Sequence, residues 1–168
     1  ELTWNYFGKN RYYLGVQHQL YNYRQSILDN DLNKQRVVDS NLNNISARGG
    51  LQFSLPKLIG QPVIFLEAKM IVTGTQLGDQ IVKGKLEQSI FFGKLGVEFN
   101  AEMKSPDIIF NRYYGNNFQW TNNFEKTRIA NSSCFFFFEN FRLRAELHSI
   151  FISNYIYFNT EALPEQYN

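Results

Sequence analysis

The sequence predicts an antiparallel all-β chain, best read as a stretch of transmembrane β-barrel, and three observations carry that reading. Apolar and polar side chains alternate over segments of roughly 10 to 12 residues, about twice the length of an average soluble strand and enough to cross a bilayer at a tilt. No run approaches the roughly 18 continuous apolar residues that a membrane helix needs. Aromatic residues make up 17% of the chain, with 16 Phe and 10 Tyr, yet mean hydropathy is -0.37, so apolar and polar mass are interleaved. At 168 residues the chain has room for one domain, over 1–168, which is a barrel or a segment of a larger one.

The elements follow in chain order. Leu14, Val16, His18 and Leu20 alternate with Gly15, Gln17, Gln19 and Tyr21, with Tyr12, Tyr13 and Tyr23 towards the ends. Aromatics at strand ends suit a membrane interface; aromatic pairs closing a soluble sheet are the alternative. Leu28 to Asn44 is Asn-rich and is expected to be a surface loop. From Ile45 to Leu55 one parity holds Ile45, Ala47, Gly49, Leu51, Phe53 and Leu55, and the other Ser46, Arg48, Gly50, Gln52 and Ser54. Pro56, Gly60 and Pro62 then supply a turn.

In Val63 to Gly74, Ile64, Leu66, Ala68, Met70 and Val72 face away from Phe65, Glu67, Lys69 and Ile71. Glu67 and Lys69 share a face and are expected to offset one another. Gly78 and Asp79 mark a turn, and a less regular strand runs from Gln80 to Phe92. Leu95, Val97, Phe99, Ala101 and Met103 alternate with Gly96, Glu98, Asn100, Glu102 and Lys104, up to Ser105 and Pro106. A second loop is expected over Asp107 to Asn123. Phe135 to Phe141 and Leu147 to Phe158 form a candidate hairpin around Leu143 to Glu146, although the Phe run is apolar on both parities.

Alternation fits a soluble barrel with an apolar interior as well as a membrane barrel with an apolar exterior; strand length favours the second. The polar parity carries Arg48, Glu67, Lys69, Glu98 and Glu102 in mid-strand, and these five are the candidate lumen-lining residues. A water-filled or plugged lumen accepts such charges, and so does a solvated outer face.

Little else in the sequence points to chemistry. A net charge of +2 without a basic run gives no reason to expect a nucleic-acid partner. Cys134 is the one cysteine; it can form no internal disulfide or thiolate metal site and is expected to be a packed small residue. His18 and His148 stand in no metal-ligand or triad spacing. Four strand residues place Glu98 and Glu102 about 13 Å apart, beyond the roughly 5 to 9.5 Å of glycosidase pairs. Asp29, Asp31 and Asn33 begin a calcium-loop pattern, but Lys34 and Ser40 replace the Gly and Glu it requires. No phosphate loop or dinucleotide fingerprint occurs, so neither a cofactor nor a catalytic residue is expected, and the chain is not read as an enzyme.

From about Gly96 onward the chain resembles the Putative porin family of Bacteroidetes outer membranes. The resemblance rests on the order GVEFNAEMKSP, NRYYGNNFQW, ENFRLRAEL, SNYIYF and ALPEQY, with Asn140, Phe141 and Arg142 in the position of the family's Asn-Phe-Arg turn. The loop Tyr114 to Gln119 resembles the family's Tyr-Asn-Pro to Phe stretch, from which Asn111, Arg112 and Tyr113 depart by supplying no Pro. The resemblance implies a bacterial outer-membrane barrel of porin type, passing small solutes or serving as a structural member of an envelope complex. Its partners would be membrane lipid, lipopolysaccharide and other outer-membrane proteins or identical subunits, and further strands would lie outside this segment. A soluble or surface β-sandwich or barrel that stacks carbohydrate or a lipid-like ligand on its tyrosines and Trp120 is the competing reading.

Overall fold

A two-residue period becomes a sheet when neighbouring strands keep the same parity on the same side. The computed structural model describes residues 2–7, 10–29, 34–55, 61–115 and 118–167, with the backbone alone at 7, 26–29 and 34–40. In chain order it contains β1 (Leu2–Phe7), β2 (Arg11–Asp29), β3 (Lys34–Ser54), β4 (Val63–Gly74), β5 (Gln80–Ile90) and β6 (Gly93–Lys104). A one-turn helix α1 (Ile108–Asn111) and short strands β7 (Arg112–Tyr114) and β8 (Gln119–Thr121) follow, then β9 (Thr127–Phe138), β10 (Leu143–Ser153), β11 (Tyr155–Phe158) and β12 (Pro164–Tyr167).

Eight strands form one antiparallel sheet in the order β1-β2-β3-β4-β5-β6-β9-β10, while β7-β8 and β11-β12 are separate two-stranded ribbons. The expected all-β antiparallel class is therefore present. Closure is not: a barrel needs its edge strands to meet, and among the described residues β1 pairs with β2 alone and β10 with β9 alone. A sandwich would need a second large sheet against the first, and the described residues form none.

Four expected element boundaries are corrected. Within Leu28 to Asn44 the described residues, 28–29 and 34–44, are strand and not loop, because β2 and β3 stay in register from Arg11↔Gln52 out to Asp29↔Lys34. Polar residues can continue a hairpin in water because its backbone ladder needs no apolar face, and Arg24 sits opposite Asp39 in this extension. The last hairpin turns at 139–142 instead of 143–146, with Arg142 N–H donating to the Glu139 carbonyl at 3.3 Å. β9 also begins earlier, at Thr127, and Leu147 to Phe158 is divided between β10 and β11 at Asn154. There φ is 56°, a conformation that Asn tolerates better than most residues. The Phe run hid the parity, so periodicity could not place that turn. The turn at Pro56 to Gly60 and the calcium-loop residues Asp31 and Asn33 lie outside the described residues.

The two faces of the sheet differ in an unusual sense. Register joins Leu14 to Gly49, Ala68, Val82, Ala101, Ala130 and Phe151 across seven strands, all on one face. This face is apolar and exposed, with Leu14 at 62%, Leu147 at 72% and Phe151 at 68%. The opposite face carries the charged and amide side chains, most of them half-buried, and Asn44 and Ser46 are fully buried. Among the described residues, Ile71 and Phe135 are the large apolar side chains that are buried. A water-soluble fold reverses this arrangement, since burial of apolar surface drives its folding.

Local packing on the polar face pairs aromatic rings with glycines across strands. Tyr13 lies over its register partner Gly50, and Phe135 over Gly96. Phe135 also receives Lys85 at 5.4 Å and Arg144 at 4.2 Å from its ring centroid, which fastens one apolar ring among charges. A Cβ at Gly96 would overlap the Phe135 ring, whereas one at Gly84 would meet Leu66 Cδ2 at an ordinary 3.4 Å. Gly96→Val is therefore expected to destabilise the sheet by about 1–3 kcal/mol. Gly84→Ala should stay within about 0.5 kcal/mol, both read from urea unfolding midpoints in detergent micelles.

Candidate functional site: a polar chamber under an inward-folded connection

Strand register brings all five sequence-predicted lining residues, Arg48, Glu67, Lys69, Glu98 and Glu102, onto the polar face. Arg48 sits beside Lys69, Lys69 beside Ile81, and Ile81 beside Glu102 in one transverse row. One level along, Tyr13, Gly50, Glu67, Lys83, Asn100 and Asn131 form the next row. Beyond it stand Gln52, Phe65, Lys85, Glu98, Ser133 and His148.

Charges on this face neutralise one another both across strands and along them. Glu67 and Lys69 were expected to offset each other; instead Glu67 accepts from Tyr13 Oη at 2.8 Å and pairs with Lys83 at 3.9 Å, while Lys69 donates to Gln17 Oε1 at 3.1 Å. Lys83 stands directly opposite Glu67 on the neighbouring strand, whereas Lys69 lies two residues along the same one. Lys85 bridges Glu87 at 3.3 Å and Glu98 at 3.1 Å, and Lys94 reaches Glu87 at 3.6 Å. Glu146 takes Arg144 at 2.9 Å and His148 at 3.2 Å. Glu102 has neither an ion pair nor a hydrogen bond among the described residues.

Asp107 to Asn123, expected as a plain loop, carries α1, β7 and β8, and the whole of 105–126 folds back over the polar face. Asp79, in the turn between β4 and β5, holds both ends of this segment. Its Oδ1 accepts from Ser105 N–H at 2.9 Å, Ser105 Oγ at 2.6 Å and Lys126 Nζ at 2.8 Å. Asp79 is 8% exposed, so these charge-assisted bonds compensate for its loss of water. The same turn is fastened to β3, where Asn44 Nδ2 donates to Gln76 Oε1 at 2.7 Å and Asn44 Oδ1 accepts from Gln76 N–H at 3.1 Å. Four strands away from β6, Gln25 of β2 receives Tyr114 N–H at 3.3 Å and donates to the Tyr114 carbonyl, which ties the segment to the far side.

The β11-β12 ribbon completes the cover. Phe158 packs on Phe110 and Trp120 at centroid distances of 5.6 and 6.0 Å, and Trp120 stacks on Tyr113 at 4.5 Å. Trp120 Nε1 donates to the Ile109 carbonyl at 2.8 Å, so this ring serves as packing for the cover. Gln166 Nε2 donates to the carbonyls of Glu125 and Asn154 at 2.8 and 3.0 Å. On the outer side of the ribbon, hydrogen bonds from Asn159 and Tyr157 hold the Glu165 carboxyl below its ordinary pKa, and the same contact raises that of the Tyr157 phenol.

Between sheet and cover lies a cavity of about 880 Å³. Lys69, Glu102, Tyr21, Tyr23 and the Asp79–Lys126 pair are among its walls, with Asp107 and Asn111 contributed by the cover. A second space of about 610 Å³ lies further along the polar face between Phe65, Lys83, Lys85, Glu98 and His148. The first can hold water and small polar solutes, since charged and amide groups stand among its apolar walls and an unpaired carboxylate stays hydrated there. Sequence reasoning missed Asp79, Ser105, Lys126 and Gln25. Only Asp79 left a trace, as a turn residue beside Gly78, because the others act through contacts between distant segments.

The remaining singled-out residues lie apart. Cys134 is exposed on the apolar face beside Val97 and Leu147, which corrects the expectation of a packed position. His18, on the same face, contacts Asn43 Oδ1 at 2.7 Å, whereas His148 faces Glu146 on the polar side. The described residues contain no group of three His, Cys, Asp or Glu side chains placed to hold a metal.

Compared with known proteins, residues 1–168 match the model of the family described as Putative porin. No curated protein and no solved structure matches the chain.

Asp79→Ala is expected to free both ends of 105–126 at a cost of about 1–3 kcal/mol. Trypsin should then cleave after Arg112 faster, by about tenfold for each 1.4 kcal/mol by which opening becomes easier. An unchanged cleavage rate would refute the anchoring role.

Proposed function

The chain belongs to the Putative porin family, and from that premise we propose that it acts in a bacterial outer membrane, where its sheet forms the wall of a passage for small solutes. The observation that carries this reading is the inverted polarity of the sheet. Leu14, Leu147 and Phe151 stand exposed on a face that lipid can cover, and Arg48, Glu67, Lys69 and Glu98 stand on the face that water can fill. Within a bilayer each strand's N–H and C=O groups must be paired by neighbours, so β1 and β10 would pair with further strands that complete a barrel.

Orientation follows from the connections. Turns 91–92 and 139–142 lie at one end of the sheet, and the longer 105–126 segment with β11-β12 lies at the other. Bacterial barrels keep short turns on the periplasmic side and long loops outside. Tyr6 stacked on Tyr12 at 4.6 Å and Phe92 beside Phe136 at 5.8 Å would then sit near the periplasmic interface. The proposed mechanism uses geometry and lining charge without a covalent step: solutes enter under the cover, and mixed charges along the wall set selectivity. On this reading the protein is no enzyme, needs no cofactor, and has membrane lipid and lipopolysaccharide as its surroundings.

Cell fractionation tests the location. The protein should remain with outer membranes through a carbonate wash and leave them only in detergent; release in soluble form would remove the membrane reading. In planar bilayers it should open conducting steps. Replacing Glu98 and Glu102 together by Gln should move the reversal potential towards anion preference, most strongly at low salt, where the Debye length reaches about 30 Å.

A further inference from the structure

We propose that the 880 Å³ cavity is a recognition site for small zwitterions, namely free amino acids or short peptides; this rests on the solute-passage reading above. Its charged lining residues decide what it can hold. Lys126 is committed to Asp79 at 2.8 Å and Lys104 to Asp107 at 3.4 Å, so these four largely cancel one another. Lys69 and Glu102 remain. Lys69 donates to the neutral amide of Gln17, and Glu102 has no partner among the described residues.

Register fixes how these two groups stand. Lys69 and Glu102 flank Ile81 in one transverse row, two inter-strand spacings apart, roughly 10 Å between backbones. Both side chains line the same cavity, and no ion pair joins them. The cavity therefore presents an ammonium on one wall and a carboxylate on the other, separated by the apolar side chain of Ile81.

A solute with its own carboxylate and ammonium a few ångströms apart can complement both walls at once, its carboxylate towards Lys69 and its ammonium towards Glu102. A simple anion or cation meets attraction at one wall and repulsion at the other, and a neutral sugar gains from neither charge. The cover adds Asn111 and the β2 strand adds Tyr21 and Tyr23 to the same cavity, groups that can accept the amide bonds and side chains of a short peptide.

Proteoliposome swelling measures the preference directly, with glycylglycine and the neutral sugar arabinose as isosmotic probes of similar size. The expected result is faster entry of glycylglycine, on the order of two- to fivefold, as exposed charge contacts allow. Lys69→Met and Glu102→Gln should each lower that ratio towards one while arabinose entry persists. The exchanged pair Lys69→Glu with Glu102→Lys should restore it, because the solute can bind reversed. Equal entry of both probes in the parent, or a ratio indifferent to these substitutions while arabinose still enters, overturns the inference and leaves solute passage standing. Entry of neither probe overturns solute passage itself, and the inference with it.

Discussion

Because successive strand residues point to opposite sides, a slip of one position in any of the seven pairings of the large sheet would turn that strand's whole apolar set onto the charged face. The sheet depends on avoiding that slip. Leu14, Gly49, Ala68, Val82, Ala101 and Ala130 share a face only because five successive registers preserve parity. One irregularity is tolerated between Ile45 and Ser46, beyond which β3 leaves β4 and continues with β2. A bulge is suited to that position, since it bends the strand where pairing ends.

Parity in turn explains how so many charges share one side. Placed directly opposite one another, Glu67 and Lys83 or Lys85 and Glu98 offset their fields across strands. Each such half-exposed pair contributes little to stability, roughly 0.2–1 kcal/mol before salt screening. Their larger effect is on the surroundings: a face with balanced charge stays wet without a strong field of either sign, which leaves Lys69 and Glu102 as the local exception.

The cover over the chamber depends on a single carboxylate placed in a turn. Asp79 is held in position by the turn that Asn44 fastens to β3, and it in turn holds Ser105 and Lys126. Three sequence-distant segments therefore meet at one buried charge. Burial makes the arrangement stringent, because removing Lys126 would leave a buried carboxylate with hydrogen bonds from Ser105 but no opposite charge.

The sequence by itself determined the all-β class, the strands around Val63–Gly74 and Gly93–Lys104, and the parity of the five charged lining residues, since a two-residue period is local and survives in any sheet. It misplaced the last turn, where Phe135 to Phe138 make both parities apolar, and it read the β2-β3 extension as a loop because Asn-rich composition resembles a loop when pairing partners are unknown. Only the tertiary structure decided which charges meet, that residues 105–126 fold inward, and that Lys69 and Glu102 face one cavity. These outcomes depend on contacts between residues tens of positions apart, and such contacts leave no trace in local spacing.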